Sequence, residues 1–178
     1  MSWSNQFVEL DKSLHDRAGF CCGENELDVF IQTRALKHMH AGISRTMVLP
    51  ANYPFPDGKR SICAFYTITP SSVSRETLPE NLAKKLPSYP VPVFLIAQLA
   101  VHQEFKGKGL GKITLIKALE HLYEINKHMR AHSVVVDCLN NDVAAFYQQY
   151  GFELLTHHEG RDRLFLPMKT VKELFDKN

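Results

Sequence analysis

Gln98-Leu99-Ala100-Val101-His102-Gln103-Glu104-Phe105-Lys106-Gly107-Lys108-Gly109-Leu110-Gly111-Lys112 is the stretch on which the reading of the fold turns. An apolar run ends at Val101, a short polar loop follows, and glycines at alternate positions open onto an amphipathic segment. Without Cβ atoms at Gly107, Gly109 and Gly111, backbone N–H groups can approach a ligand closely. They stand at the start of an expected helix, where the dipole favours negative charge. Lys106, Lys108 and Lys112 add full positive charges, so the loop reads as a cradle for a pyrophosphate. Spacing narrows the ligand. Three residues separate Gly107 from Gly111 and Ile113 follows Lys112, so the nucleotide P-loop is excluded. The dinucleotide fingerprint needs glycine at 112, where lysine stands.

Around this stretch, apolar and turn-forming segments alternate. Leu27, Phe30, Ile31, Ala35, Leu36 and Met39 predict a helix over 28–40 that stops at Gly42. Residues 45–49 and 61–69 read as strands about a Pro/Asn/Gly-rich turn, and 70–92 as a connection with one short helix. Strands are expected at 93–101, 133–138, 152–155 and 164–168, and helices at 110–128, 142–150 and 170–175. Asn141 or Asp142 is expected to cap the 142–150 helix, and Gly151 to end it. This alternation predicts a single α/β domain, with one sheet and helices on its faces.

Composition bounds the function. The chain has 178 residues, 44% of them hydrophobic and 22% charged, which fits one globular domain with a substantial core. No apolar run approaches the ~20 residues of a membrane span, and the N-terminus lacks the order of a signal peptide. A cytoplasmic protein without membrane association is expected. Cys21, Cys22, Cys63 and Cys138 have no zinc spacing and form a poor disulfide framework, so reduced thiols are expected. The nine scattered histidines do not predict a metal site. The net charge of +2 is uneven: residues 31–130 hold fourteen basic against six acidic side chains. Such a basic middle suits a phosphate-rich partner.

Lys106-Gly107-Lys108-Gly109-Leu110-Gly111 resembles the coenzyme A signature of the GNAT acetyltransferases, (Gln/Arg)-x-x-Gly-x-(Gly/Ala), with Lys106 at the Gln/Arg position. A second block carries the same resemblance. The apolar strand Val134-Val135-Val136 leads to Asn140, then Phe146-Tyr147, then Gly151-Phe152. The resemblance implies the GNAT fold, a single mixed, mostly antiparallel sheet in which two parallel strands splay apart around acetyl-CoA. It implies that backbone N–H groups at Leu99, Ala100 and Val101 receive the thioester oxygen. Residues 106–112 would receive the pyrophosphate, with Asn140 also at the cofactor. Tyr147 would be the acid that protonates the departing thiolate. No metal is implied.

The resemblance also extends to the GNAT-type toxins of bacterial toxin–antitoxin pairs, over about residues 18 to 175. It is carried by Phe20-Cys21-Cys22-Gly23, by Leu27-Asp28-Val29-Phe30-Ile31 and by Ser44-Arg45-Thr46-Met47-Val48-Leu49. Lys84-Lys85-Leu86-Pro87 before Val91-Pro92-Val93, and Leu164-Phe165-Leu166-Pro167-Met168-Lys169, extend it. It implies acetylation of the α-amino group of aminoacyl-tRNA, which blocks translation. A ribbon–helix–helix antitoxin, a homodimer and no DNA binding by the chain alone are also implied. Arg34, Lys37, Arg45, Lys84 and Lys85 are the candidate phosphate contacts for the RNA. Gln98 stands where that pattern has arginine, which leaves a small-molecule or protein amine open as acceptor. A GNAT-derived module that binds RNA or a partner without turnover remains the non-enzymatic alternative.

Overall fold

The structure is a computed structural model and describes residues 2–176. Its strands are β1 (Val8–Glu9), β2 (His15–Asp16), β3 (Arg45–Pro50), β4 (Arg60–Val73), β5 (Val91–Val101), β6 (Ser133–Cys138), β7 (Glu153–His158) and β8 (Arg161–Pro167). The helices are α1 (Asn25–Val29), α2 (Ala35–His40), α3 (Glu80–Ala83), α4 (Leu110–Asn126), α5 (Asn141–Gln148) and α6 (Met168–Phe175). The sheet runs β1-β3-β4-β5-β6-β8-β7, with β2 alongside β4. The β5–β6 pair is parallel, whereas β1–β3, β3–β4, β6–β8 and β7–β8 are antiparallel. This is the expected mixed α/β class. The parallel ladder matches Val93 with Ser133, Phe94 with Val134 and Leu95 with Val135.

The chain divides into two compact units, Met1–Thr69 with Ala97–Ala118 and Pro70–Ile96 with Leu119–Asn178. In the first, one apolar cluster gathers Phe20, Phe30, Ile31, Ala35, Val48, Phe65 and Ala100. A second gathers Leu49, Ala51, Cys63, Ala64, Phe105 and Leu110. In the other unit, Val73, Leu78, Val91, Val93, Val135 and Phe165 form a cluster. Val134, Val135 and Val136 are all buried, the mark of a strand covered on both faces.

Three local readings change. The helix expected over 28–40 is α1 and α2 joined by a π-helical turn, Phe30–Arg34. Leu27, Ile31, Ala35 and Met39 are spaced by four residues, and each step runs about 40° past an ideal α-helical stripe. The wider turn absorbs that drift and keeps Phe30, Ile31 and Ala35 inside. Gly42 does end the helix, at φ +73°, with Ile43 N–H bonded to His38 O and Gly42 N–H to Met39 O. Secondly, β4 runs through Pro70 to Val73, so the connection expected from residue 70 begins four residues later. Finally, β1 and β2 have no counterpart in the sequence reading, being two residues each.

Candidate functional site

The glycine loop is held at both ends and open between them. Phe105 and Leu110 are buried in one cluster, whereas residues 106–109 are exposed. Gly107 and Gly109 have φ of +75° and +77°, in the left-handed region that glycine adopts without cost. A Cβ at either would meet nothing within 4 Å, so backbone conformation, rather than crowding by protein, requires glycine here. Gly111 is different, lying inside the first turn of α4. The earliest of the new helical bonds runs from Ile113 N–H to Gly109 O at 3.3 Å. N–H groups preceding it in the first turn have no intrahelical acceptor. Backbone donors, a helix N-terminus and the lysines at 108 and 112 therefore lie in the segment where the sequence reading expects a pyrophosphate.

Lys106 is used otherwise than expected. Its Nζ donates to the Cys22 carbonyl at 2.5 Å instead of pointing its charge along the loop. Lys108 lies over the Phe105 ring, 5.4 Å from the centroid. His102, which follows the catalytic-type strand, is also committed locally. Its Nδ1 accepts from Glu104 N–H at 3.2 Å, and its ring packs edge-on against Phe20 and Phe105. Ala100 enters the Phe20–Phe65 cluster and Val101 packs against that of Phe105, while Leu99 is half-buried.

In the other unit, β6 leads into the second block. Asn140, not Asn141 or Asp142, caps α5: its Oδ1 accepts from Val143 N–H at 3.0 Å. The side-chain oxygen of the residue that the resemblance places at the cofactor is thus engaged in starting the helix. At the far end, Gly151 at φ +93° turns the chain so that Phe152 N–H reaches Tyr147 O at 3.3 Å and Gly151 N–H reaches Gln148 O at 3.1 Å. This closing motif brings its two apolar positions together. They are Tyr147 and Phe152, whose rings meet edge-on at 5.3 Å. The Phe-Tyr and Gly-Phe pairs of the sequence are therefore two ends of one helix stop. Phe152 is core, whereas Phe146 is half-buried against Tyr147 and Tyr150.

Tyr147 is 6% exposed, and burial, followed by the nearby Cys138, pushes its hydroxyl well above the ordinary tyrosine range. It stays protonated at every physiological pH, the state a proton donor needs. Among the described residues, Ser44 Oγ is the one buried side-chain polar atom without a partner, so the Tyr147 oxygen is not sealed away unpaired. Burial pushes the thiols of Cys22, Cys63 and Cys138 up to about 12, 11 and 11, and all four cysteines are free. The buried thiols are poor nucleophiles.

The candidate RNA contacts are dispersed. Arg34 closes the π-helical turn, and Lys37 lies exposed on α2. Arg45 is 3.5 Å from Glu9 across the β1–β3 edge. These three belong to the first unit; Lys84 and Lys85 belong to the second, with Lys84 3.1 Å from Glu80. Such exposed pairs contribute little energy and release readily to a phosphate. Among the described residues no group of three or more His, Cys, Asp or Glu is arranged to hold a metal. Among the described residues no helix is long and apolar enough to cross a membrane.

Comparison with known proteins places these features in a lineage. The acetyltransferase (GNAT) domain profile matches residues 74–154. A probable toxin, TacT, from Sinorhizobium fredii is 29% identical over 173 residues, spanning 93% of this chain and 92% of its own. A tRNA-acetylating toxin from Mycobacterium tuberculosis is 30% identical over 139 residues, 78% of this chain and 79% of its own. Among solved structures, AtaT complexed with acetyl-methionyl-tRNAfMet has a TM-score of 0.85 at 27% identity, covering 96% of this chain and 98% of that one. AtaTR bound with acetyl-CoA has a TM-score of 0.81 at 28% identity, covering 96% and 97%. The chain belongs to the GNAT acetyltransferases, and within them to the family of GNAT-type toxins.

Proposed function

We propose that the chain is an acetyl-CoA-dependent N-acetyltransferase whose acceptor is the α-amino group of an aminoacyl-tRNA, and that it acts as a toxin by blocking translation. The observation that carries this reading is its likeness, over nearly its whole length, to a toxin captured with acetyl-methionyl-tRNA. The whole chain is read as one acetyltransferase domain. Its partner would be a ribbon–helix–helix antitoxin, its solution state a homodimer and its compartment the cytoplasm. These three follow from the resemblance to toxin–antitoxin acetyltransferases.

The chemistry assigns each group a task. The neutral amine attacks the thioester carbonyl, an oxyanion forms, and the carbon–sulfur bond breaks to release a thiolate. Backbone N–H groups at Leu99 to Val101 would meet the oxyanion. As it collapses, Tyr147 would give its proton to the sulfur, and the proton shed by the acylated nitrogen would pass to solvent, which restores that of Tyr147. The exposed loop 106–109 and the N-terminus of α4 would hold the pyrophosphate. An aminoacyl ester carries a less basic amine than a lysine side chain, so neutral nucleophile is present near pH 7 without a strong base.

Incubation of the purified protein with radiolabelled acetyl-CoA and total aminoacylated tRNA tests this, with deacylated tRNA as control. Label confined to the charged pool supports the reading and names the isoacceptors. Label on small amines or proteins, with charged tRNA unmodified, would move the acceptor to those classes, as Gln98 in place of the usual arginine allows. Failure to bind coenzyme A at millimolar concentration would leave a non-catalytic module.

A further inference from the structure

The loop that would hold the donor is tied, through the backbone of one buried residue, to the helix carrying the π-helical turn. Cys22 is 2% exposed, and both of its backbone polar groups meet a charged side chain. Its N–H donates to Asp28 Oδ1 at 2.7 Å, and its carbonyl accepts from Lys106 Nζ at 2.5 Å. Both distances are at the short, charge-assisted end of the range. Gly23, at φ +88°, turns the chain immediately after this residue, and a Cβ added there would lie 3.8 Å from Lys106 Nζ.

Neighbouring bonds repeat the alternation between helix and loop. Gln32 Nε2 donates to Phe20 O at 2.9 Å from the helix side. Gln103 N–H donates to Cys21 O at 2.8 Å from the loop side. Arg17 Nη1 donates to Gln32 O at 3.1 Å, satisfying a carbonyl within the π-helical turn. Segment 17–23 is therefore bonded on one side to residues 28–32 and on the other to residues 103–106.

We propose that Lys106 and Asp28 are positioning residues for acetyl-CoA: Lys106 acts on the glycine loop by anchoring it to Cys22, and Asp28 completes the anchor from α1. The lysine at this motif position is then a strut rather than a phosphate ligand. Its ammonium is already bonded to a carbonyl, and the lysine charges left for the pyrophosphate are those at 108 and 112. Asp28 enters as a carboxylate that repels a phosphate yet favours its binding, because holding the Cys22 N–H fixes the residue whose carbonyl is the acceptor for Lys106. The proposal takes residues 106–112 as the pyrophosphate loop, as in the function proposed above.

The test measures acetyl-CoA binding directly, by calorimetry, so it needs no acceptor. The variants are Lys106→Met, Asp28→Ala, Asp28→Asn and the Lys106→Met/Asp28→Ala pair, each with a melting curve to confirm a folded sample. Lys106→Met and Asp28→Ala are each expected to weaken binding about tenfold, roughly the share of one charge-assisted bond. The double variant should be no weaker than either alone, because both cut the same link. Asp28→Asn keeps the acceptor oxygen and should restore affinity close to the parent protein. If Asp28→Ala binds as the parent does, or if the two losses multiply, Lys106 acts independently of Cys22 and the proposal fails. If the parent protein itself binds no acetyl-CoA, it is the proposed function that fails.

Discussion

Tyr147 shows how little of a catalytic assignment resides in the residue type alone. Its hydroxyl would be an ordinary weak acid on a surface helix. Placed inside, with Phe146 and Phe152 against its ring, it is held protonated far into the alkaline range. For an acid that must be protonated to work, the shift moves the high-pH loss of activity upward. Turnover under donor-saturating conditions is therefore expected to show no decline from Tyr147 ionisation up to about pH 10, the ordinary tyrosine value. Tyr147→Phe should lower kcat by about 10²–10⁴ while acetyl-CoA affinity is retained. Full turnover in that variant would remove Tyr147 from the chemistry. The same scale separates Lys106 from its motif position. Sequence marks it as a cation beside a glycine loop, and geometry gives its charge to a carbonyl eighty-four residues away in the chain.

At the scale of elements, the bond between Asp137 on β6 and Arg163 on β8 ties the strand that leads to Asn140 into the sheet. The guanidinium donates twice, from Nε at 2.7 Å and from Nη2 at 2.8 Å, and the two residues are direct cross-strand partners. Arg163 is 8% exposed, so its charge has little access to water once the partner is gone. Asp137→Ala is expected to cost about 3 kcal/mol in urea unfolding, near the low end for breaking a buried pair because Asp137 is itself partly exposed. A loss below about 0.5 kcal/mol would show the pair to be surface-like. Helix boundaries here were legible where a local residue sets them. Gly42 and Gly151 end helices because only their φ suits the turn. The π-helical turn was not legible as such, since a four-residue apolar spacing is compatible with a regular helix until burial of Phe30, Ile31 and Ala35 demands one continuous face.

For the whole molecule, pH is expected to act through two histidines held neutral. Burial is the leading cause that lowers the pKa of His15, and it alone lowers that of His132. His15 Nδ1 accepts the Asp11 N–H at 3.0 Å, a bond that requires an unprotonated nitrogen. Because the folded values are depressed, the unfolded chain binds protons first as pH falls. Stability is thus full above the unfolded value of about 6.5 and drains away as pH drops through the lower folded values. The melting temperature should be level near pH 7–8 and decline toward pH 5, with a shallower decline in His15→Asn. A melting temperature independent of pH over that interval would contradict the assignment. The sequence by itself determined the order of strands and helices from β3 onward, the glycine loop before α4, the Phe-Tyr/Gly-Phe block and the family, because these depend on periodicity, backbone freedom and short motifs whose partners lie nearby in the chain. Only the tertiary structure decided that Lys106 meets Cys22, that Asp28 meets the same residue, that Asp137 meets Arg163, and that Tyr147 is buried, which raises its pKa. The Lys106–Cys22 and Asp137–Arg163 bonds join segments 84 and 26 residues apart, and the other two depend on how a turn and a helix end are packed, so no periodicity or short motif encodes them.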